Sequence, residues 1–409
     1  MRIAYLASRY PWPSQAFLTR EVRGLRAAGV EVDTVTVRAP GPEALPTPED
    51  RQEAERTEHL LPGGVAALLA AHLGALLRSP RSYLGTLATA WRLAGPGSRA
   101  HLWSLFYFAE AVLLRRLCRR RGIGHVHAVQ FADGAGDVAL LAAHGGGEGG
   151  RPGSFSISVH GPGELFEVTR YGLPEKVRRA SFVTVPAEFT RSQLAALVED
   201  RHVGKIEVVR MGVEPERFPP SPPPGRRGDG VRVLCVARLV RHKGHATLLR
   251  AVAKLRDEGL ALRVALVGEG PERAGLERLR AELGIEDVVE FRGLAGQDEL
   301  PALLADADVF CLPTLAETVG VASMEAMAAG RPVVSSRLMG VPELVEDGVS
   351  GLLVTPGREG ELAKALRRLA EEPELRERLA AEGRQRVLES FDSAREAARL
   401  SELLGRAAI

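Results

Sequence analysis

Val309 to Val334 reads V-F-C-L-P-T-L-A-E-T-V-G-V-A-S-M-E-A-M-A-A-G-R-P-V-V. The opening V-F-C-L-P is a short apolar run of strand character. The polar turn to Gly320 ends it, and Val321 to Ala329 reads as a helix that starts at that glycine. Val333 to Ser335 resumes the strand pattern. A strand, a helix and a second strand in so short a span form a unit of a parallel sheet with helices on its faces.

The same alternation runs back towards the middle of the chain. Val231 to Ala237 is a strand followed by a helix from His245. Arg263 to Val267 precedes a helix from Glu272, and Val288 to Phe291 a helix from Asp298. Before Val231 lies P-P-S-P-P-P-G-R-R-G-D-G, Pro219 to Gly230. That composition forms neither helix nor central strand, so 219–230 is expected to be a linker. It separates a first domain, 1–218, from a second, 231–391, with a final helix over 392–409 expected to pack back on the first. The front domain alternates too. Ile3 to Ala7 is a strand, Gln15 to Ala28 a helix with Ser14 as a plausible N-cap, and Val30 to Val37 a strand. Pro40 to Pro48 reads as a loop and 60–121 as helical. His125 to Val129, Phe155 to Val159 and Phe182 to Val185 follow as strands. The expected fold is α/β: two doubly wound, Rossmann-like domains facing across a cleft.

The 409 residues suit two or three domains, with 45% hydrophobic and 26% charged residues and a net charge of +2. No overall field calls for nucleic acid. Cys118, Cys235 and Cys311 are far apart and odd in number, which excludes a disulfide framework and a CxxC zinc site and fits a reducing, cytoplasmic setting. Met1 to Ala7 reads as a buried strand rather than a signal peptide. Arg78 to Arg121 holds nine arginines and a single acid, Glu110, interleaved with leucines and aromatics. With the apolar stretch Leu60 to Leu77, this reads either as solvated packed helices or as a peripheral contact through 60–121 with the inner face of a membrane.

Ligands of such sheets sit at the carboxyl ends of strands. After Val231 to Ala237 come Arg238, Lys243 and Gly244. Two cations beside a helix start suit a diphosphate: a guanidinium fork, an ammonium and free N–H groups. In the second site the backbone N–H groups of Val319, Gly320 and Val321 face an anion at the helix start. Glu317 in the loop can accept from sugar hydroxyls, and Glu325 within the helix from a ribose diol. Asp306 and Asp308 form D-x-D just before the strand Val309 to Leu312, on the side away from the donor, and read as a helix end turning into a strand rather than as metal ligands. His125 and His127 read as packing near the acceptor cleft, since no third metal ligand has suitable spacing.

The second half resembles the donor-binding domain of a retaining glycosyltransferase of family 4, with the GT-B fold. Its E-G-F-G-x-x-x-x-E-A-M-A-x-G-x-P-V-V pattern is met by Glu317, Gly320, Glu325, Ala326, Met327, Ala328, Gly330, Pro332, Val333 and Val334, with Thr318 and Val319 in place of the usual small residue and phenylalanine. The family's G-R-L-x-x-x-K-G motif appears as Ala237, Arg238, Leu239, Lys243 and Gly244. V-G-E-G-P at Val267 to Pro271, V-x-F-x-G at Val289 to Gly293, and K-I-x-V-V-x-x-G-V-E-P-E-R-F at Lys205 to Phe218 also match. The front half is similar to a subgroup that makes bacterial surface polysaccharides, through Ser8 to Val22, His125 to Asp133 and Ser156 to Phe166.

The resemblance implies transfer of a sugar from a nucleoside diphosphate sugar, UDP favoured and GDP next, to a hydroxyl of a glycan, lipid-linked or small-molecule acceptor. Retention of configuration without a metal or other cofactor is implied with it. Arg238, Lys243, Gly293, Thr318, Val319, Gly320, Val321 and Glu325 would hold the nucleotide; in catalysis Arg238 and Lys243 would stabilise the departing diphosphate, and Glu317 and the strand-end His160 would contact the reacting sugar. The family's glycine-rich first loop is here P-W-P-S-Q, so Ser14 and Gln15, with His127 and Glu164, are placed on the acceptor side. A hydrolase or epimerase of nucleotide-sugars would instead consume donor without acceptor. A non-catalytic regulatory partner of the same fold would bind no nucleoside diphosphate.

Overall fold

The computed structural model describes residues 1–12, 15–41, 45, 47–61, 64–129, 134–144, 152–166, 168, 172–220 and 230–407. They form two compact units, Met1–Arg210 with Ala394–Ile409, and Met211–Ser393.

The first unit is built on a parallel sheet of seven strands: β1 Arg2–Arg9, β2 Glu31–Arg38, β3 Glu58–His59, β4 His125–Val129, β5 Ser154–Ser158, β6 Val183–Val185 and β7 Ile206–Val208. Their order is β3-β2-β1-β4-β5-β6-β7. The direction of travel reverses between β1 and β4, so this is a doubly wound sheet with its switch point there. Central strands are buried on both faces: Ile3, Ala4, Tyr5, Leu6 and Ala7 are all inaccessible, as covered parallel strands require. One face packs under the helices around Ala111, Leu114 and Val138. The other packs under helix Ala16–Ala27 and the final helix Ser393–Ala407, through Leu18, Leu25, Leu400 and Leu404. The helical stretch is three helices, Val65–Arg78, Pro80–Leu93 and Ser98–Arg121.

The second unit repeats the plan with six parallel strands: β8 Val231–Val236, β9 Leu262–Val267, β10 Val289–Gly293, β11 Val309–Leu312, β12 Val333–Ser336 and β13 Leu352–Val354. The order is β10-β9-β8-β11-β12-β13. The switch point lies between β8 and β11, so the loops that leave those two strands are neighbours.

One element lies where the sequence reading assigned nothing beyond Pro48, and one boundary differs from it. Pro48–Arg56 is a helix, set by a capping box in which Thr47 and Asp50 each bond the other's backbone N–H. Residues 211–218, read as the end of the first domain, belong to the second unit. Val213 N–H bonds Phe391 O at 2.9 Å, Ser393 N–H bonds Val213 O at 3.0 Å, and Arg384 donates to Phe218 O at 2.9 Å. Of the expected linker, 221–229 lies outside the described residues.

Candidate active site

In the second unit the chain leaves β8 at Ala237, turns through Arg241–Lys243, and enters helix His245–Asp257 at Gly244. Gly244 has φ +74°, and a Cβ there would lie 1.9 Å from Pro313 O. Only glycine lets the β8 loop lie against the β11 loop this closely. The two loops are then stitched together: Leu315 N–H and the Thr314 hydroxyl both donate to His242 O, at 2.6 and 2.8 Å.

That contact brings Lys243 to Glu317, Nζ to Oε2 at 2.5 Å. The side chains are 17% and 12% exposed, so the pair is partly screened by solvent rather than sealed in the core. Arg238 is exposed on the same loop and forms no ion pair among the described residues. His242 between them is held below its usual pKa first by burial, then by the Lys243 and Arg238 charges, with Glu317 opposing. Arg238, Lys243 and Glu317 therefore share one electrostatic neighbourhood.

Glu317, Thr318 and Val319 are buried. Gly320, with φ +101°, precedes helix Val321–Ala328, in which Glu325 is also buried. The V-G-E-G-P turn closes the other side: a Cβ on Gly268 would lie 2.0 Å from Ala237 O, and one on Gly270 2.4 Å from Leu239 O. Gly268 N–H bonds Gly293 O at 2.7 Å. The nucleotide-binding residues expected from the sequence thus fall at the exits of β10, β8 and β11, with Glu325 in the helix after β11. Asp306 and Asp308 sit at the other end of the strands: Asp306 pairs with Arg232, and Asp308 accepts the Arg232 N–H at 2.9 Å. Sequence reasoning missed Thr314 and the carbonyl of His242, which staple the loops; neither has a motif to announce it. It also missed His245, buried at the helix start with its pKa pushed down to about 4 by burial and by Lys243 and His242.

In the first unit His160 follows β5 and is buried against Phe17, ring centroids 4.9 Å apart. Burial pushes its pKa down to about 4, so the imidazole is neutral at pH 7. Glu164 Oε2 accepts the backbone N–H groups of His160 and Gly161 at 2.9 and 3.2 Å. Its carboxylate shapes the His160 turn. Period-two alternation puts His125 and His127 of β4 on the same face as Ser154, Ser156 and Ser158 of β5. The His127 ring nitrogens bond Ser156 and Ser158 at 2.7 and 2.8 Å, and those of His125 bond Ser154 and Ser156 at 2.7 Å each. His127 is wholly buried, and both its ring nitrogens bond within this ladder. Gln15 occupies the position before helix Ala16–Ala27 without a side-chain capping bond, and its N–H donates to Trp12 O at 2.9 Å. Ser14 lies outside the described residues.

Residues 221–386 match the family described as glycosyl transferases group 1. The chain is 32% identical over 368 residues to a GDP-mannose-dependent alpha-(1-6)-phosphatidylinositol monomannoside mannosyltransferase of Mycolicibacterium smegmatis, covering 84% of this chain and 94% of that one. Among solved structures it is similar to sucrose-phosphate synthase from Thermosynechococcus elongatus, with TM-score 0.77 and 21% identity over 99% of both chains. It is also similar to Anabaena HepE in complex with UDP and glucose, with TM-score 0.72 and 20% identity over 99% of both. At such identities the likeness shows the fold, and the two doubly wound units are those of the GT-B class.

Proposed function

The chain belongs to the glycosyl transferases group 1 family and is a glycosyltransferase, and we propose that it moves a hexose from a nucleoside diphosphate sugar to a hydroxyl acceptor, with retention and without a metal. The observation that supports this most is the Lys243–Glu317 pair at the β8/β11 switch point, with Arg238 beside it and the Gly320 helix start in the next loop. A cation pair and a helix start favour a departing diphosphate, whose charge grows as the glycosidic bond breaks. Glu317 then holds the sugar and Glu325 the ribose. In this reading the acceptor attacks from the face the diphosphate leaves, and a diphosphate oxygen takes the acceptor's proton. His160, neutral at working pH, offers a hydrogen-bonding ring rather than a charge. The metal-free reading draws support from the placement of Asp306 and Asp308, which are engaged with Arg232 at the start of the strands.

The mycobacterial relative is named for GDP-mannose and a phosphatidylinositol mannoside, while HepE was solved with UDP and glucose. A UDP-sugar or GDP-sugar donor and a lipid-linked or glycan acceptor, met by peripheral contact with a membrane through 60–121, complete the reading. The experiment is thermal unfolding with UDP and with GDP, followed by transfer assays with the matching sugars. A ligand at 100 times its Kd should add about 2.7 kcal/mol to stability. No stabilisation by either nucleotide would overturn the donor site. Donor turnover that needs no acceptor would assign hydrolysis instead.

A further inference from the structure

In the first unit a cavity of about 310 Å³ opens between helices Val65–Arg78, Pro80–Leu93 and Ser98–Arg121. Its walls carry Arg78, Arg115, Arg116, Arg119, Ser79 and Ser82. Arg115 is part of the frame: its guanidinium donates to Leu141 O, Ala142 O and His144 O and to the Thr86 hydroxyl. Arg78, Arg116 and Arg119 are exposed, and among the described residues none of the three pairs with a carboxylate. They crowd one another instead. The Arg119 guanidinium is held below its usual pKa first by burial, then by the charges of Arg78 and Arg116. Glu110, the one acid in this stretch, does not line the cavity, and burial raises its pKa to about 7. The Ser82 hydroxyl oxygen is buried with no hydrogen-bond partner among the described residues. Guanidinium forks lining one cavity are the donor set of a phosphate site.

A second observation says what carries the phosphate. On helix Val65–Arg78 a row of large aliphatic side chains stands in solvent at four-residue spacing: Val65 72%, Leu69 63%, Leu73 58% and Leu77 74% exposed. Leu102 and Phe106 of the neighbouring helix are 54% and 53% exposed. At about 100° per residue, Leu77 lies roughly 20° around the helix from Ala70, and Ala70 lines the cavity. Leu77 therefore stands beside the cationic pocket, and Leu73, Leu69 and Val65 follow at about 40° steps around the helix, an outer apolar face flanked by the pocket. No described helix is long and apolar enough to cross a membrane. A helix that is apolar on its outer face beside a cluster of arginines suits the plane of an anionic lipid surface. A soluble phosphate compound would leave the aliphatic row without a partner.

We propose that this cavity binds the phosphate of an anionic phospholipid, with the Val65, Leu69, Leu73 and Leu77 row seated in the acyl boundary of the same leaflet. The inference rests on the peripheral-contact part of the proposed function and is independent of the donor and the reaction.

The test is sedimentation of the full chain with vesicles of phosphatidylcholine alone, and with vesicles of equal parts phosphatidylcholine and phosphatidylglycerol. The parent should bind the mixed vesicles and not the neutral ones. Each arginine lost should weaken binding about fivefold, so Arg116→Gln with Arg119→Gln should cost about 25-fold. Arg250→Gln, an exposed arginine of the second unit, should cost little. Leu69→Ser with Leu73→Ser should also release the protein although every arginine remains. Nucleoside diphosphate binding, followed in each variant, should stay at the parent's level, which shows the fold intact. If the parent binds vesicles as described but no nucleotide, the donor reading falls and this one stands. Equal binding to both vesicles, or a double arginine variant no weaker than Arg250→Gln, would overturn it. So would a glycerol phosphate titration that depends on Arg116 and Arg119 while mixed vesicles stay unbound, for the site would then serve a soluble phosphate.

Discussion

Glu317→Gln and Lys243→Met should move nucleoside diphosphate binding in opposite directions. Lys243 Nζ lies 2.5 Å from Glu317 Oε2. If the same ammonium also meets a phosphate oxygen at about 2.8 Å, the carboxylate and the phosphate stand about 5 Å apart. Their repulsion is roughly 3 kcal/mol at an effective dielectric of about 20. The pair is partly exposed, so about 1 kcal/mol is a fairer figure after screening. Glu317→Gln should therefore tighten binding of the bare diphosphate about fivefold, while turnover of the sugar donor falls because the sugar loses its grip. Lys243→Met removes a charge-assisted bond worth about 1.5–3 kcal/mol, a weakening of roughly 10–150-fold. Calorimetric titration with UDP and GDP reads both effects, and a double-mutant cycle isolates the coupling. Should Glu317→Gln weaken the diphosphate as much as Lys243→Met does, the carboxylate merely props the lysine. The pair would then be structural, and the argument for a phosphate role would fail.

Arg238→Ala should lower kcat at least as much as it raises KM; a change in KM alone would mean that the cation binds substrate and transition state equally. Gly244→Ala should cost at least about 2 kcal/mol by urea unfolding, because left-handed strain of about 1–2 kcal/mol adds to a contact with Pro313 O. Gly259→Ala, with φ +80° and open space around it, should show the strain alone, and an equal cost at both sites would refute the close approach. His160, lowered from 6.5 to about 4, refuses a proton that the unfolded chain accepts. Stability from this group is complete above pH 6.5 and is lost as pH falls towards 4, by about 1.4 kcal/mol per pH unit. His160→Asn should flatten the denaturation slope by that amount over this window. Glu110, raised from 4.5 to about 7, works the other way: the folded protein keeps a proton that the unfolded chain releases, so Glu110→Gln should steepen the loss of stability between pH 7 and 4.5.

The strand exits of the second unit were legible because each obeys a local rule: an apolar run, a glycine at a left-handed turn, then a helix. Arg238, Lys243, Gly320 and Glu325 could be placed on loop or helix from those rules alone. The Lys243–Glu317 bond could not, since 74 residues separate the partners and only the order β9-β8-β11-β12 makes their loops neighbours. The serine–histidine ladder hid for the same reason. The alternation of His125 and His127, and of Ser154, Ser156 and Ser158, is visible in the sequence, but the register that sets His125 opposite Ser154 and His127 opposite Ser156 is a property of the sheet. The boundary at Arg210 was obscured by a stronger signal, the prolines after Phe218. Composition marks where a chain cannot form regular structure, whereas a domain ends where its hydrogen bonds change partner, and Val213 already bonds to the strip around Phe391 and Ser393.

The arginine-rich helices show the converse. Their composition left two readings open, solvated packing or a membrane contact, because a count of arginines does not say which of them are occupied. The structure divides them. Arg115 is consumed by three carbonyls and a hydroxyl, and Arg121 by Asp33 and Glu58. Arg78, Arg116 and Arg119 converge on one cavity without an acid. Folding brings like charges together at a cost, and that cost is recovered when an anion arrives. Binding at the cavity should therefore stabilise the first unit, and added phosphatidylglycerol vesicles should raise its unfolding temperature in the parent but not in Arg116→Gln with Arg119→Gln.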